Sequence, residues 1–270
     1  MQNPNNQIVT DKVWHELSFG LESLGYDNAA IRLRVAEMAS YFGIHQWFYK
    51  GVEELSGGQK QLLNLAAIMA MHPSLLILDE PMNGLDKGGV AEMRELFLKL
   101  KEQGKIRAIG ASNVTADIIR GYCKYGQLDV IQEKYSLLTR RVEKQLLPTC
   151  RELGVSVQAY SPLEQGLLTG KVTMETTYPE GSTRNSNPSF QPARRAQALD
   201  MLAKWGDLTE KYDCSLAQLV IALTARMIPG LHVLCGARTP QQVMDNAGAL
   251  NIKLDGADAV RMKWDVDAIS

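Results

Sequence analysis

Three short stretches combine residue types that could do chemistry. Residues 104–113 (GKIRAIGASN) set Ser112 and Asn113 at the end of an apolar run made by Ile106, Ala108 and Ile109. A hydroxyl and an amide in that place can hold a ligand, because ligands of α/β proteins gather at the carboxyl ends of parallel strands. Taken alone, the same pair also reads as a strand-ending turn. Residues 75–78 (LLIL) deliver Asp79 and Glu80; one such carboxylate can hold Mg²⁺ while its neighbour polarises an attacking water. Ser56, Gly57, Gly58 and Gln59 precede an apolar, helix-patterned run. Ser56 suits an N-cap, and the two glycines let backbone N–H groups approach an anion at the helix start.

The elements that must position these groups follow from periodicity and stop signals. Apolar spacing predicts helices over 11–24, 29–42, 60–71 and 88–103, most of them ended by glycine or proline. Short apolar runs predict parallel strands at 75–79, 106–111, 128–132, 155–160 and 232–236. Between and after them the pattern predicts helices at 116–125, 143–153, 193–212, 215–227 and 240–249, the last opened by Thr239 and Pro240. Residues 171–192 are dense in Gly, Pro, Ser, Thr and Asn and lack periodicity, which fits either a surface excursion or a flap over a ligand.

Composition narrows the class. A chain of 270 residues, 45% hydrophobic and 22% charged, suits one large or two small globular domains. A net charge of -1 argues against nucleic acid or an anionic membrane as partner. Four cysteines (Cys123, Cys150, Cys214, Cys235) without metal-type spacing are expected as reduced thiols, and no apolar run reaches membrane-spanning length. A cytoplasmic protein without membrane insertion is the expectation.

The first third resembles the ATP-binding-cassette ATPases of the energy-coupling-factor type. The resemblance rests on Gln2-Asn3-Pro4, LSGGQ at 55–59, LLILDEP at 75–81 and GLD at 84–86. It implies a Q-loop role for Gln2 and a nucleotide-signature role for Ser56, Gly57, Gly58 and Gln59. It further implies a Mg²⁺-side acid at Asp79, a catalytic base at Glu80 and a subunit contact at Asp86. No G-x-x-x-x-G-K-[ST] phosphate loop is present and Asn113 stands near the place of the switch histidine. ATP and Mg²⁺ are therefore expected only with a cassette-type partner that supplies the missing loop, and no intrinsic ATPase activity is expected.

The remainder resembles the C-terminal half of an aldo-keto reductase, on KIRAIGASN (105–113), DVIQEKYSLL (129–138), residues 146–171 and GARTPQQVMDNAGAL (236–250). The resemblance implies NADP(H), with Ser112, Asn113 and Gln132 holding the nicotinamide carboxamide and Tyr160 stacking on its ring. Ser161, Pro162, Leu163, Gln165 and Gly166 would lie along the pyrophosphate. Arg238, Gln242, Asp245 and Asn246 would meet the adenosine end, Arg238 facing the 2′-phosphate. The family's Asp-Tyr-Lys-His tetrad has no counterpart at the matching positions, so no carbonyl reductase activity is expected.

Together these resemblances predict an α/β composite: a helical N-terminal lobe plus an open parallel sheet, half of a (β/α)8 barrel joined to an ATPase strand–helix unit. The expected divisions are 1–72, 73–104 and 105–270. Open sheet edges suggest a homodimer. Three readings follow: an NADP(H)-binding reductase remnant, a cassette subunit acting with an intact partner, and a chimera without catalysis.

Overall fold

The computed structural model describes residues 7–73, 85 and 87–269. It divides into two compact units, Met1–Arg107 and Ala108–Ser270. Asp79, Glu80, Asp86, Gln2 and the expected strand 75–79 lie outside the described residues.

The described part of the first unit is helical: α1 (Val13–Ser23), α2 (Asn28–Tyr41), α3 (Gly57–Ala70) and α4 (Lys87–Glu102). Val13, Leu17 and Leu21 recur at helical spacing on α1 and are almost fully buried with Leu63, Ala66, Met93 and Leu100. Burying a side chain of this size contributes about 1.5–3 kcal/mol each. Helix ends are tied by specific groups. Asp27 accepts from Ala29 N at 2.9 Å and Ala30 N at 2.8 Å, starting α2. Arg34 reaches from α2 to the last carbonyls of α3, donating to Ala70 O at 3.0 Å and Met69 O at 2.7 Å.

The start of α3 is a reciprocal cap. Ser56 Oγ accepts from Gln59 N at 3.2 Å while Gln59 Oε1 accepts from Ser56 N at 3.0 Å. A Cβ at Gly58 would stand 3.1 Å from Gly89 Cα, so Gly58 permits the first turn of α3 to sit against the first turn of α4. In the described structure Gly58 serves helix-to-helix packing against Gly89.

The second unit is an α/β layer. Its sheet is parallel, in the order β1 (Gly110–Ser112), β2 (Val130–Lys134), β3 (Ser156–Tyr160), β4 (His232–Leu234). Helices follow the strands: α5 (Ala116–Cys123) after β1, and α6 (Arg141–Gln145) and α7 (Leu147–Leu153) after β2. Next come α8 (Thr183–Ser186), α9 (Pro192–Ala203), α10 (Gly206–Lys211) and α11 (Leu216–Met227), with α12 (Pro240–Ala247) and α13 (Gly256–Asp267) after β4. The face bearing Ile131, Val157 and Ala159 is buried against Ile119, Cys150 and Val155. A second core gathers Trp205, Leu219, Leu223, Met262 and Val266.

Several boundaries differ from the periodicity, each for a local reason. The strand expected at 106–111 begins only at Gly110. Gly104 takes a left-handed φ of 67°, Lys105 N and Ile106 N both turn back to Leu100 O at 2.9 and 3.3 Å, and Ile106 packs into the helical core instead. The helix expected at 143–153 breaks at Leu146, because Pro148 lacks the N–H to continue it and opens α7. The helix expected at 193–212 breaks at Trp205, which is fully buried and donates its indole N–H to Asp265 at 2.9 Å. α13 was not anticipated.

Replacing Ser56 with Ala removes the cap without opening a cavity. We expect a loss of about 1 kcal/mol in urea unfolding followed by circular dichroism. A much larger loss would mean that the hydroxyl supports more than the first turn of α3.

Candidate functional site

The register of the sheet sorts the side chains of the second unit. Ser112 pairs with Gln132, Gln132 with Gln158 and Gln158 with His232, so these four form one row across the sheet. Two residues further along, Lys134, Tyr160 and Leu234 form the next row on the same face, at the carboxyl ends of their strands. This face is polar and partly open, whereas the opposite face carries the buried apolar residues. The alternation arises because successive strand residues point to opposite sides.

Ser112, Asn113, Gln132 and Tyr160 are brought together at this rim. Asn113 has a left-handed φ of 54° and its N–H donates to Gln132 O at 3.0 Å. Its amide donates to Ser112 Oγ at 3.2 Å, and its Oδ1 accepts the Tyr160 hydroxyl at 2.8 Å. Gln132 donates to Gln158 Oε1 at 3.4 Å. Beneath the turn, Glu133 is buried and accepts from Val114 N at 2.6 Å, which fixes the chain after Asn113.

The loop after β3 bends sharply. Ser161, Glu164 and Gln165 have φ of 57°, 46° and 54°, and Gly166 has φ 98°. Left-handed backbone at a residue with a side chain costs roughly 1–2 kcal/mol, so something must hold it. That something is the Glu164 carboxylate, which is fully buried. It accepts from Lys134 Nζ at 2.6 Å, Ser136 Oγ at 2.6 Å, Thr139 Oγ1 at 3.1 Å and Asn187 Nδ2 at 3.2 Å. Burial pushes its pKa up, but the hydrogen bonds from Lys134, Ser136 and Asn187 and the Lys134 charge prevail, and the group is held below the usual carboxylate range.

Residues 171–192 are anchored over this loop. Arg184 Nε donates to Gln165 O at 3.0 Å, and its guanidinium stands 5.0 Å from the centre of the Tyr178 ring. Arg195 donates to the carbonyls of Thr173 and Thr176, and Tyr178 meets Phe190 edge-on at 5.4 Å. A second network, part-buried around Tyr135, braces the chain just after β2. The Tyr135 hydroxyl donates to Glu143 at 2.7 Å, and Arg140 bridges Glu143 and Asp267. Burial and the Glu143 carboxylate push the Tyr135 phenol well above its ordinary range, so it stays protonated.

The groups after β4 sit in the turn between residue 236 and α12. Gln242 Oε1 accepts from Arg238 N at 2.7 Å, Thr239 Oγ1 caps Gln242 N at 3.3 Å, and Asn246 donates to Gly236 O at 3.3 Å. Asp245 accepts from Gln241 at 2.8 Å. Gln242 and Asn246 thus shape the turn that presents the exposed Arg238. Sequence reasoning missed Glu164, Lys134 and Asn187. The only signal was a carboxylate inside the stretch SPLEQG.

Among the described residues no cluster of three or more His, Cys, Asp or Glu is placed to hold a metal ion. None of the described helices is long and apolar enough to cross a membrane.

A parallel β–α sheet whose carboxyl rim carries hydroxyl, amide and aromatic groups, with a strained loop and a capped helix beyond, is an α/β ligand-binding architecture. The chain belongs to the aldo/keto reductase family, which it matches over residues 31–263. It is 46% identical over 180 residues to the NADH-specific methylglyoxal reductase of Escherichia coli, covering 67% of this chain and 55% of that protein. Among solved structures it is similar to the glycerol dehydrogenase of Gluconobacter oxydans, with a TM-score of 0.62 at 27% identity, over 76% of this chain and 61% of that one. The chain therefore spans less than two thirds of the length of these relatives.

The family match runs unbroken across residues 104 and 105, which overturns the expectation of a composite divided there. A stretch of 102 residues is also 45% identical to a putative ABC transporter ATP-binding protein of Bacillus thuringiensis, but it covers 18% of that protein. A local likeness of this kind does not by itself decide a fold or a function. The joined ATPase unit, the ATP and Mg²⁺ expectations and the reading as a non-catalytic remnant fall with the composite.

The carboxylate of Glu164 makes a stability prediction. Glu164→Gln should cost about 3 kcal/mol at neutral pH, because it leaves Lys134 uncompensated. Its folded pKa is depressed, so the stabilisation is complete above the unfolded-state pKa of about 4.3 and is lost as pH falls through the lower folded value. Wild-type unfolding free energy should therefore drop more steeply than that of the variant between about pH 5 and pH 3. Parallel curves in thermal melts would show that Glu164 titrates alike in both states.

Proposed function

We propose that the rim of the second unit binds a nicotinamide dinucleotide and that the chain belongs to the oxidoreductases exchanging hydride with small carbonyl or hydroxy compounds. The observation that carries this reading is the convergence of Ser112, Asn113, Gln132 and Tyr160 at one strand-end rim, in a member of the aldo/keto reductase family. The fit is chemical. A carboxamide needs both a donor and an acceptor, and Asn113 with Gln132 offers both. In the structure the Asn113 oxygen is occupied by the Tyr160 hydroxyl at 2.8 Å, a bond that a carboxamide N–H could replace.

When bound, the dinucleotide supplies the hydride. This chain's residues orient it. Ser112, Asn113 and Gln132 would fix the carboxamide, and the Tyr160 ring would stack on the nicotinamide. Ser161, Leu163, Gln165 and Gly166 shape the loop beside the pyrophosphate, and Gly166 leaves open space where a side chain would stand. Gln242, Asp245 and Asn246 support the adenosine end. Arg238 would meet the ribose 2′-position, where a planar cation suits a phosphate dianion and the start of α12 adds its positive end. The named E. coli relative is NADH-specific, so the choice between NADH and NADPH is a property to be measured at Arg238.

Titration of NADH and NADPH fluorescence tests binding, and oxidation of the reduced cofactor with methylglyoxal tests turnover. Tyr160→Ala should weaken NADH about tenfold, whereas Tyr160→Phe should stay within about threefold, since ring stacking contributes about 1–3 kcal/mol and the hydroxyl bond is replaceable. Arg238→Ala should raise the NADPH dissociation constant about tenfold and leave NADH unchanged. An enhancement that never appears for either nucleotide would sink the reading.

A further inference from the structure

The Glu164 carboxylate does not face the proposed cofactor. Both of its oxygens are taken, Oε1 by Lys134 at 2.6 Å and Asn187 at 3.2 Å, Oε2 by Ser136 at 2.6 Å and Thr139 at 3.1 Å. A carboxylate so saturated and so buried has no lone pair left for a ligand. Its partners come from three separate places: the end of β2, the turn after it, and the segment 171–192 that lies over the loop.

Glu164 is itself one of the left-handed residues of that loop. The loop closes on itself through Glu164 N to Ser161 O at 2.9 Å and Gly166 N to Leu163 O at 2.9 Å. A right-handed residue followed by a left-handed one turns backbone N–H groups toward a concave side suited to phosphate oxygens. In this loop the Glu164 and Gly166 N–H groups are spent on its own closure, so what the carboxylate preserves is the shape of the loop rather than those two donors. Asn187 donates to Glu164 and also accepts from Ser189 N at 3.0 Å, so the overlying segment is pinned by the same carboxylate. Arg184 adds a second pin at Gln165 O.

We infer that Glu164 is a positioning residue: its carboxylate locks residues 161–166 and the Asn187 segment into one body, and affinity for the dinucleotide's diphosphate depends on that lock. The inference rests on the reading of the rim as a nicotinamide site. Without the lock the loop must be ordered at the moment of binding, and that cost appears as lost affinity. Lys134 is the counter-charge that makes the carboxylate persist in the interior, and it reaches Glu164 from the strand row that also carries Tyr160.

The test measures NADH and reduced nicotinamide mononucleotide, which lacks the diphosphate bridge, on wild type, Glu164→Gln and Asn187→Ala. Circular dichroism reports the fold. Glu164→Gln keeps one carbonyl oxygen, enough for the Ser136 and Thr139 side or for the Asn187 side but not for both, and loses the charge that holds Lys134. We expect its NADH dissociation constant to rise at least about tenfold while the mononucleotide changes less than about threefold. Asn187→Ala leaves the Lys134 pair intact, and we expect a faster NADH dissociation rate in stopped flow. Equal weakening of both nucleotides, or unchanged NADH binding by a folded Glu164→Gln, overturns the inference. If Glu164→Gln does not fold, an Asn187→Ala variant with wild-type dissociation overturns it. Absence of NADH binding by wild type instead removes the nicotinamide reading itself.

Discussion

The second unit depends on one buried carboxylate. Glu164 has no contact with solvent and collects four hydrogen bonds from groups that are distant in the sequence. Removing a carboxylate from water costs several kcal/mol, a penalty offset only when a counter-ion and enough donors surround it. Here Lys134 provides the charge and three neutral donors complete the shell. The net depression of its pKa shows which effect prevails: the donors stabilise the ionised form more than burial opposes it. Three non-glycine residues of the loop carry positive φ, and their combined strain of a few kcal/mol is of the same size as the pair that holds them.

The sheet supplies the second constraint. Its strands are short, three to five residues, so only two or three residues per strand lie on the open face. Ser112, Gln132, Lys134, Gln158 and Tyr160 are among them, while the same strands turn Ile131, Val157 and Ala159 to the helices. A one-residue slip would exchange the two sets, placing glutamines and a lysine in the apolar layer. The polar rim and the hydrophobic core are therefore specified by a single register, and the site cannot shift without unfolding the layer beneath it.

Most helices and the strand–helix rhythm after residue 108 were legible because the periodicity is strong and the caps are explicit. Thr239 with Pro240 and Ser56 with Gln59 mark their helix starts in the sequence and in space. The rim residues were legible too, through strand ends. The Glu164 hub was not, since its four partners lie 25–30 residues before it or 23 after it and no local pattern links them. The helix α13 was overlooked although Ala259, Met262 and Val266 keep helical spacing and Asp255 caps it at 2.8 Å. Its apolar stripe is thin and its opposite face, with Val260 and Trp264, is exposed, which blurs the contrast that periodicity needs. The composite reading failed for a related reason. Short motifs report a local turn, whereas family membership is carried by a match spread over most of the chain.

The same distinction explains how the labour is divided around the rim. Regular elements fix where Ser112, Gln132 and Tyr160 stand, because a register leaves them no alternative. The loops after β3 and β4 must instead approach a ligand with their backbone, and a backbone has to be held from behind. After β4 the holding is light: Gln242 and Asn246, both on α12, reach back to residues 238 and 236, and both ends of each bond lie within eleven residues. After β3 it is heavy, since the left-handed residues Ser161, Glu164, Gln165 and Gly166 are braced by the buried Glu164 charge. Tight local bonds suffice where a helix begins at once, as α12 does. Where the chain runs on into residues 171–192, whose one α-helix is the four-residue α8, long-range interactions do it, and the interior ion pair of Glu164 and Lys134 fills that need.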